Sequence, residues 1–276
     1  MNPVIEQMLS RYRVDTVNDR QNAMHEVMQQ VTLAALYRAG FFDKAAFYGG
    51  TCLRIFYNLP RFSEDMDFSL LEKNPNFSIE DYFQFIETEF KAMGREVEIS
   101  KKEKSGDSKI ESAFLKDNTD VYNIAFKTEK TVKIKIEVDK DPPLKFHTDY
   151  RLLLLPFSFN TRCFSTSSLF AGKMHAFLFR NWKTRVKGRD WYDMEWYVRN
   201  NHKLDLVHLN QRCLQTGHIK KEINFSEVKE LLREKVLKTN MERVKDDVRP
   251  FIISQDELKI WSHDYFLQLV DRMIER

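Results

Sequence analysis

Cysteine is scarce in this 276-residue chain: Cys52, Cys163 and Cys213 are the three, far apart. An odd count without Cys-x-x-Cys spacing argues against a disulfide framework and against a cysteine-ligated zinc site. Cys52 sits in an apolar segment and reads as a small buried thiol. Glycine is thin too, at 8 residues against 22 phenylalanines, which excludes collagen-like and low-complexity chains. No apolar run approaches the ~20 residues needed to span a bilayer. The longest, Leu152–Phe157, has the length of a core strand. The opening Met1-Asn2-Pro3-Val4-Ile5-Glu6 lacks the basic-then-apolar order of a signal peptide. A cytoplasmic protein with no membrane partner is the expectation.

Hydrophobic residues make up 42% of the chain and aromatics 13%, enough for a packed core and too many for global disorder. The length suits one large domain or two modest ones. Net charge is +3, which says little, but its distribution says more. Arg180, Lys183, Arg185, Lys187 and Arg189 stand against the single acid Asp190, a local balance of +4 that can face a polyanion.

Periodicity gives the layout. Asn18–Ala39 carries apolar residues at three-four spacing and predicts a helix, with Gly40 as its C-cap. Lys44–Tyr48 reads as a short strand. Gly49-Gly50 turns the chain, and Thr51 is the expected N-cap of a helix to about Asn58. Asp65–Leu70 alternates: Asp65, Asp67 and Ser69 face one way, Met66, Phe68 and Leu70 the other. Ile79–Met93 predicts an amphipathic helix. Strands are expected at Glu96–Lys102, Ile110–Leu115, Val121–Lys127 and Thr131–Asp139. The last sets Val132, Ile134, Ile136 and Val138 against Lys133, Lys135, Glu137 and Asp139. Asp141-Pro142-Pro143 breaks the sheet, and Leu152–Phe164 reads as extended. Helices follow over Ser165–Arg180, Trp191–Arg199, Leu204–Thr216, Phe225–Leu237, Met241–Phe251 and Asp256–Ile274. The shift predicts an N-terminal α/β domain over 1–160 and a helical domain over 161–276. The cations Lys220, Lys221, Lys229, Arg233, Lys235 and Lys238 alternate with acids, the pattern of a solvated face.

Chemistry concentrates in Phe47-Tyr48-Gly49-Gly50-Thr51-Cys52-Leu53-Arg54 and Arg61-Phe62-Ser63-Glu64-Asp65-Met66-Asp67-Phe68. Asp65 and Asp67, two apart on a strand, put both carboxylates on one face, where they can hold a divalent metal. Two Mg²⁺ ions about 4 Å apart, as in nucleotidyl transfer, need further acids from a neighbouring strand. Glu137 and Asp139 are the candidates, with Glu137 favoured because it lies deeper in its strand. Gly49 and Gly50 let backbone approach an anion, and the helix behind them offers free N–H groups. Thr51 adds a hydroxyl, and Arg61 and Ser63 can reach phosphate oxygens. Alone, a Gly-Gly-Thr is a tight turn and an Asp-x-Asp a polar strand face; the joint order makes the functional reading the better one. His147 and His175 read as structural, and Trp182, Trp191, Trp196 and Tyr197 as core aromatics more than stacking platforms.

These two stretches resemble the AbiEii/AbiGii family of nucleotidyltransferase toxins, within the DNA polymerase β-like nucleotidyltransferase superfamily. The resemblance continues through Lys173-Met174-His175-Ala176-Phe177-Leu178-Phe179-Arg180 and Lys187-Gly188-Arg189-Asp190-Trp191-Tyr192-Asp193, spanning positions 45 to 200. It implies an α+β protein: a nucleotidyltransferase-fold mixed sheet flanked by helices, followed by a helical domain. It also implies that Lys173 meets the triphosphate. Asp190 or Asp193, with Asp193 favoured, then completes the site or orients the lysine. Under the same resemblance Arg180, Lys183, Arg185, Lys187 and Arg189 become candidate tRNA or triphosphate contacts. The implied activity is transfer of a nucleoside monophosphate from an NTP to an acceptor hydroxyl, with Mg²⁺ or Mn²⁺. The implied acceptor is the 3′ end of tRNA. The implied setting is a toxin–antitoxin or abortive-infection system with a separate antitoxin. The alternatives are the same chemistry on a protein or small molecule, and an inactive module that binds RNA or a partner.

Overall fold

A computed structural model of the protein describes residues 2–101, 119–126, 133–180 and 186–276. The strand expected at Ile110–Leu115 lies outside them. The described chain divides into two compact units. One comprises Met1–Phe56, Ser63–Pro142 and Thr148–Cys163; the other Tyr57–Phe62, Pro143–His147 and Phe164–Arg276.

The first unit is a mixed sheet flanked by helices. Its strands are β1 (Ala45–Tyr48), β2 (Asp65–Leu70), β3 (Val97–Lys101), β4 (Thr119–Phe126), β5 (Lys133–Asp139), β6 (Thr148–Leu153) and β7 (Phe159–Phe164). Among the described residues they run in the order β3-β4-β5-β2-β1-β7-β6. β2 holds the middle, antiparallel to β1 and parallel to β5. Its alternation is realised directly: Met66 and Phe68 are fully buried while Asp65 and Asp67 are half-buried on the opposite face. Phe68 anchors the core, its ring 5.0 Å from Phe47 and 5.1 Å from Phe41. The expected extended run after residue 151 is two strands, β6 and β7, with a break between them.

Helix α1 (Pro3–Leu9) was not anticipated; its seven residues are too short for a periodic signal. α2 (Val17–Arg38) has the expected extent and starts at a capping box of Thr16 and Asp19. Gly40 follows it in the left-handed region. α3 (Gly49–Tyr57) begins at the glycines themselves, so Thr51 is not its N-cap but part of its first turn. α4 (Phe83–Ala92) is preceded by a 3₁₀ turn over Ile79–Tyr82 and buries Ile86 and Phe90.

The second unit is helical: α5 (Thr166–Phe179), α6 (Gly188–Arg199), α7 (Leu206–Gln215), α8 (Phe225–Lys238), α9 (Met241–Val248) and α10 (His263–Arg272). α5 and α6 are clamped by Phe170 stacked on Tyr197 at 4.3 Å and by Phe177 against Trp191 at 4.7 Å. Gly188 lets α6 meet the backbone of α9, where a Cβ would overlap the Val244 carbonyl. The long helix expected over Asp256–Ile274 is instead a 3₁₀ stretch, α10 and a short strand β9 (Ile274–Glu275) paired to β8 (Lys203–Leu204). Ser262 caps α10 and so interrupts the run. Glu195 of α6 accepts from Trp261 Nε1 at 2.8 Å and from the Tyr265 hydroxyl, pinning this C-terminal segment.

Truncating Phe68 to Ala should therefore cost roughly 3–5 kcal/mol, the usual range for a fully buried Phe, seen as a lower midpoint in urea with an unchanged slope.

Candidate functional site

The carboxylate group of the first unit follows from strand register. Parallel pairing of β2 and β5 sets Asp67 beside Glu137 and Asp65 beside Lys135. Neighbours in one register share a face, with strands about 4.8 Å apart. Asp139 instead lies beside Ser69, is buried, and accepts from the Asp141 backbone N–H at 3.1 Å. Glu137 is thus the β5 acid next to Asp67.

Gly49 makes this packing feasible. Its φ is +83°, a region that disfavours side chains, and a Cβ there would overlap the Asp67 carboxylate. The glycine thus serves both the turn into α3 and the close approach of an acid to a helix N-terminus, where a negative charge is favoured. Thr51 is fully buried and its hydroxyl donates to the Asp65 carbonyl. It ties α3 to β2 and has no donor left for a phosphate. Gln29 of α2 reaches the same segment, donating to the Ser63 and Glu64 carbonyls at 3.1 and 3.0 Å. Ser63 is half-buried, and Gly50 is in the first turn of α3.

Lys135 was not among the expected functional residues. It lies on the same strand face as Glu137, two positions away, so the period-two pattern already contained it. Its ammonium is paired with the Glu137 carboxylate. Burial works against that charge, but Glu137, Asp65 and Asp67 outweigh it and raise the Lys135 pKa above the ordinary lysine value. All three carboxylates therefore act on this one ammonium.

The donor set is hard oxygen, which suits Mg²⁺ or Mn²⁺. Among the described residues no three acidic, His or Cys side chains close a metal site on their own.

The second unit holds a charged cluster of its own. Arg61 forms a fork on Asp193, Nε and a terminal nitrogen each at 2.6 Å, and its remaining edge donates to the Phe62 carbonyl at 3.0 Å. Arg61 is 2% exposed and Asp193 fully buried. The expectation that Arg61 reaches phosphate meets a side chain that is buried and committed to Asp193 and the Phe62 carbonyl. Lys173 Nζ lies 2.8 Å from both Asp190 and Asp193, and Arg180 lies 3.6 Å from Asp190. Burial alone would raise both acids. Lys173, with Arg180 and Lys187, holds the Asp190 carboxyl well below the ordinary range, and Arg61 with Lys173 does so for Asp193. Of these groups Lys173 and Arg180 keep some exposure.

The other expected contacts divide. Lys187 is half-buried, and Arg189 lies over the Phe251 ring at 4.0 Å. Lys183, Arg185 and Trp182 lie outside the described residues. Trp191 and Tyr197 are buried, as is His175, whose Nε2 is 3.0 Å from the Thr216 hydroxyl.

A mixed sheet flanked by helices, with an acid pair behind a glycine turn, agrees with the fold that the sequence resemblance implies. The family model described as the nucleotidyl transferase AbiEii toxin of type IV toxin–antitoxin systems matches residues 31–269, and the chain belongs to that family. Among solved structures it is similar to MenT4, a nucleotidyltransferase toxin of Mycobacterium tuberculosis H37Rv. That likeness has TM-score 0.60 and 16% identity, over 96% of this chain and 87% of that one. It is also similar to JHP933 of Helicobacter pylori, with TM-score 0.52 and 16% identity over 91% and 90% of the two chains. No curated protein matches. The protein is a nucleotidyltransferase, and its family implies an antitoxin partner. No described helix is long and apolar enough to cross a membrane.

The Asp193→Asn variant leaves Arg61 and Lys173 facing each other without their shared counter-charge. It should lose roughly 3–5 kcal/mol, the usual cost of orphaning a buried charge, as a lower melting temperature at neutral pH. The sign with pH is set by depressed folded values. The stability from Asp190 and Asp193 is present above their ordinary value of 3.8 and drains as pH falls below it. The variant's melting temperature should change less than the wild type's between pH 5 and pH 3, in a scan of about those limits.

Proposed function

We propose that the protein transfers a nucleoside monophosphate from an NTP to an acceptor hydroxyl, with Asp65, Asp67 and Glu137 holding Mg²⁺ or Mn²⁺. The single observation that carries this is the register that sets Asp67 beside Glu137 with Asp65 on the same face. When bound, the metal neutralises phosphate oxygens and the charge that develops during transfer. The chain's own residues do the positioning. Gly49 lets the Asp67 carboxylate lie against the start of α3, and the Thr51–Asp65 bond fixes that helix to β2. Lys135 keeps the carboxylates from repelling one another before a divalent ion arrives. Gly49 and Gly50 offer helix N–H groups to phosphate, with Ser63 beside the acids.

In the helical unit, Lys173 is the proposed phosphate-directed ammonium, oriented by Asp190 and Asp193. The proposed acceptor is RNA, with the tRNA 3′ end favoured by the family resemblance and by the cations around Arg180 and Lys187. The proposed setting is a cytoplasmic toxin held in check by its antitoxin.

Incubation with each α-labelled NTP and total RNA, resolved on a denaturing gel, reports nucleotide, acceptor size and metal dependence together. Chelation with EDTA should abolish labelling. Asp65→Asn or Asp67→Asn should each reduce it by about a hundredfold to a thousandfold, since metal stabilisation is worth several kcal/mol and 1.4 kcal/mol is tenfold. Melting temperatures should stay near wild type. Full labelling by the Asp67 variant would sink the metal assignment, and label that survives RNase on a protein band would favour a protein acceptor.

Gly49→Ala forces the Asp67 carboxylate to move. Labelling should fall by about tenfold or more, with a higher Mg²⁺ concentration for half-maximal rate, because a small misplacement of positioned groups costs up to about a hundredfold. An unchanged Mg²⁺ profile would show that the close approach has no catalytic role.

A further inference from the structure

On the helical unit, the end of α5, the start of α6 and the α8–α9 junction enclose a cavity of about 240 Å³. Its walls carry Arg180, Lys187, Lys235, Lys238 and Arg243, with Asp190 as the one acid. Asp190 has no charge to spare: Lys173 and Arg180 already engage it. Lys238 is paired along its own helix with Glu234 at 2.9 Å. Among the described residues, no hydrogen bond or ion pair engages the side chains of Lys187, Lys235 or Arg243. Lys235 is half-buried, so the expectation of a solvated face does not hold for it. Burial, then repulsion from Arg180, pulls the Lys187 pKa down to about 8, with Asp190 only partly offsetting. Burial lowers Lys235 as well.

Half-buried cations without counter-charge cost folding free energy. Lys187 and Lys235 are two such cations, and the exposed Arg243 adds a third positive charge to the same lining, so the cavity is short of an anion. We propose that this cavity is a binding site for phosphoryl groups, with Lys187, Lys235 and Arg243 as its donors. Three spare cations match a group that carries more than one negative charge and several acceptor oxygens, which a single carboxylate does not. The phosphoryl oxygens can come from a polynucleotide backbone or from a free polyphosphate. The site does not depend on the transfer reading, because binding is measured without metal and without turnover.

The test titrates the full-length protein, without divalent metal, with two probes at stepped NaCl concentrations. One is sodium tripolyphosphate, read by calorimetry. The other is a short single-stranded oligoribonucleotide with a 5′-hydroxyl, read by fluorescence anisotropy. The Lys187→Gln/Lys235→Gln double variant and Arg243→Gln should each weaken binding by about tenfold or more, since charge-assisted hydrogen bonds are worth roughly 1.5–3 kcal/mol. A loss confined to tripolyphosphate assigns the site to a free polyphosphate. A loss confined to RNA assigns it to the backbone, with the slope of log K against log salt shallower by roughly 0.7 for each cation removed. Loss with both probes assigns phosphate from either source. The Lys187→Gln protein should melt no lower than wild type, because a repelled charge is removed. The probe should raise the melting temperature of wild type more than that of the double variant. Unchanged affinity and salt slope in the variants, or a wild type that binds neither probe, overturns the proposal.

Discussion

The pairing of β2 on both its edges is the constraint on which the rest of the sheet unit depends. β1 fixes it antiparallel and β5 parallel, so its register is set twice. A slip of one residue would turn Asp65 and Asp67 into the core and Met66 and Phe68 toward solvent. The aromatic packing of Phe68 with Phe41 and Phe47 opposes that slip. The hydrophobic face of one strand therefore holds the position of the carboxylates on its other face. Thr51 and Gln29 then fix the entry to β2, through hydrogen bonds to the Asp65, Ser63 and Glu64 carbonyls.

Charge is handled differently in the two units. In the helical unit the acids are buried and more than matched, with Arg61, Lys173 and Arg180 around Asp190 and Asp193. Bidentate geometry and several donors per carboxylate are what make such burial tolerable. The pair also ties the segment before Ser63 to α6, since Arg61 donates to Asp193 and the Phe62 N–H donates to the Phe251 carbonyl. Arg61 thus contributes as an anchor, which its place next to an Asp-x-Asp motif did not suggest.

What the sequence disclosed follows from the range of the forces involved. β2 and α2 were legible almost to the residue, because one alternates and the other repeats every three to four positions with a glycine at its end. The choice of Glu137 over Asp139 needed register, which alternation alone does not supply. Arg61–Asp193 spans 132 positions, so no local pattern could pair them. Thr51 looked like a cap because it follows two glycines, but the helix accepts Gly49 and Gly50 as its first residues and spends the hydroxyl on β2. Apolar spacing continues through Gln255–Ile260 and so extends the expected last helix over a stretch that the Ser262 cap separates from α10. Lys235 looked solvated because cations and acids alternate along its helix; only the tertiary fold shows that it lines a cavity with other cations.

The balance of charge at each place also narrows what it can receive. Beside β2 and β5, the half-buried carboxylates of Asp65, Asp67 and Glu137 gather around Lys135 on one strand face. Oxygen donors of this kind are the ligands a divalent cation prefers. Around Asp190 cations predominate instead, increasingly toward the cavity lined by Lys187, Lys235 and Arg243. An enzyme of nucleotidyl transfer needs both kinds of grouping, since its substrates are polyanions that bind with metal. Neither grouping is visible in a net charge of +3, which sums 44 cations and 41 acids over the whole chain.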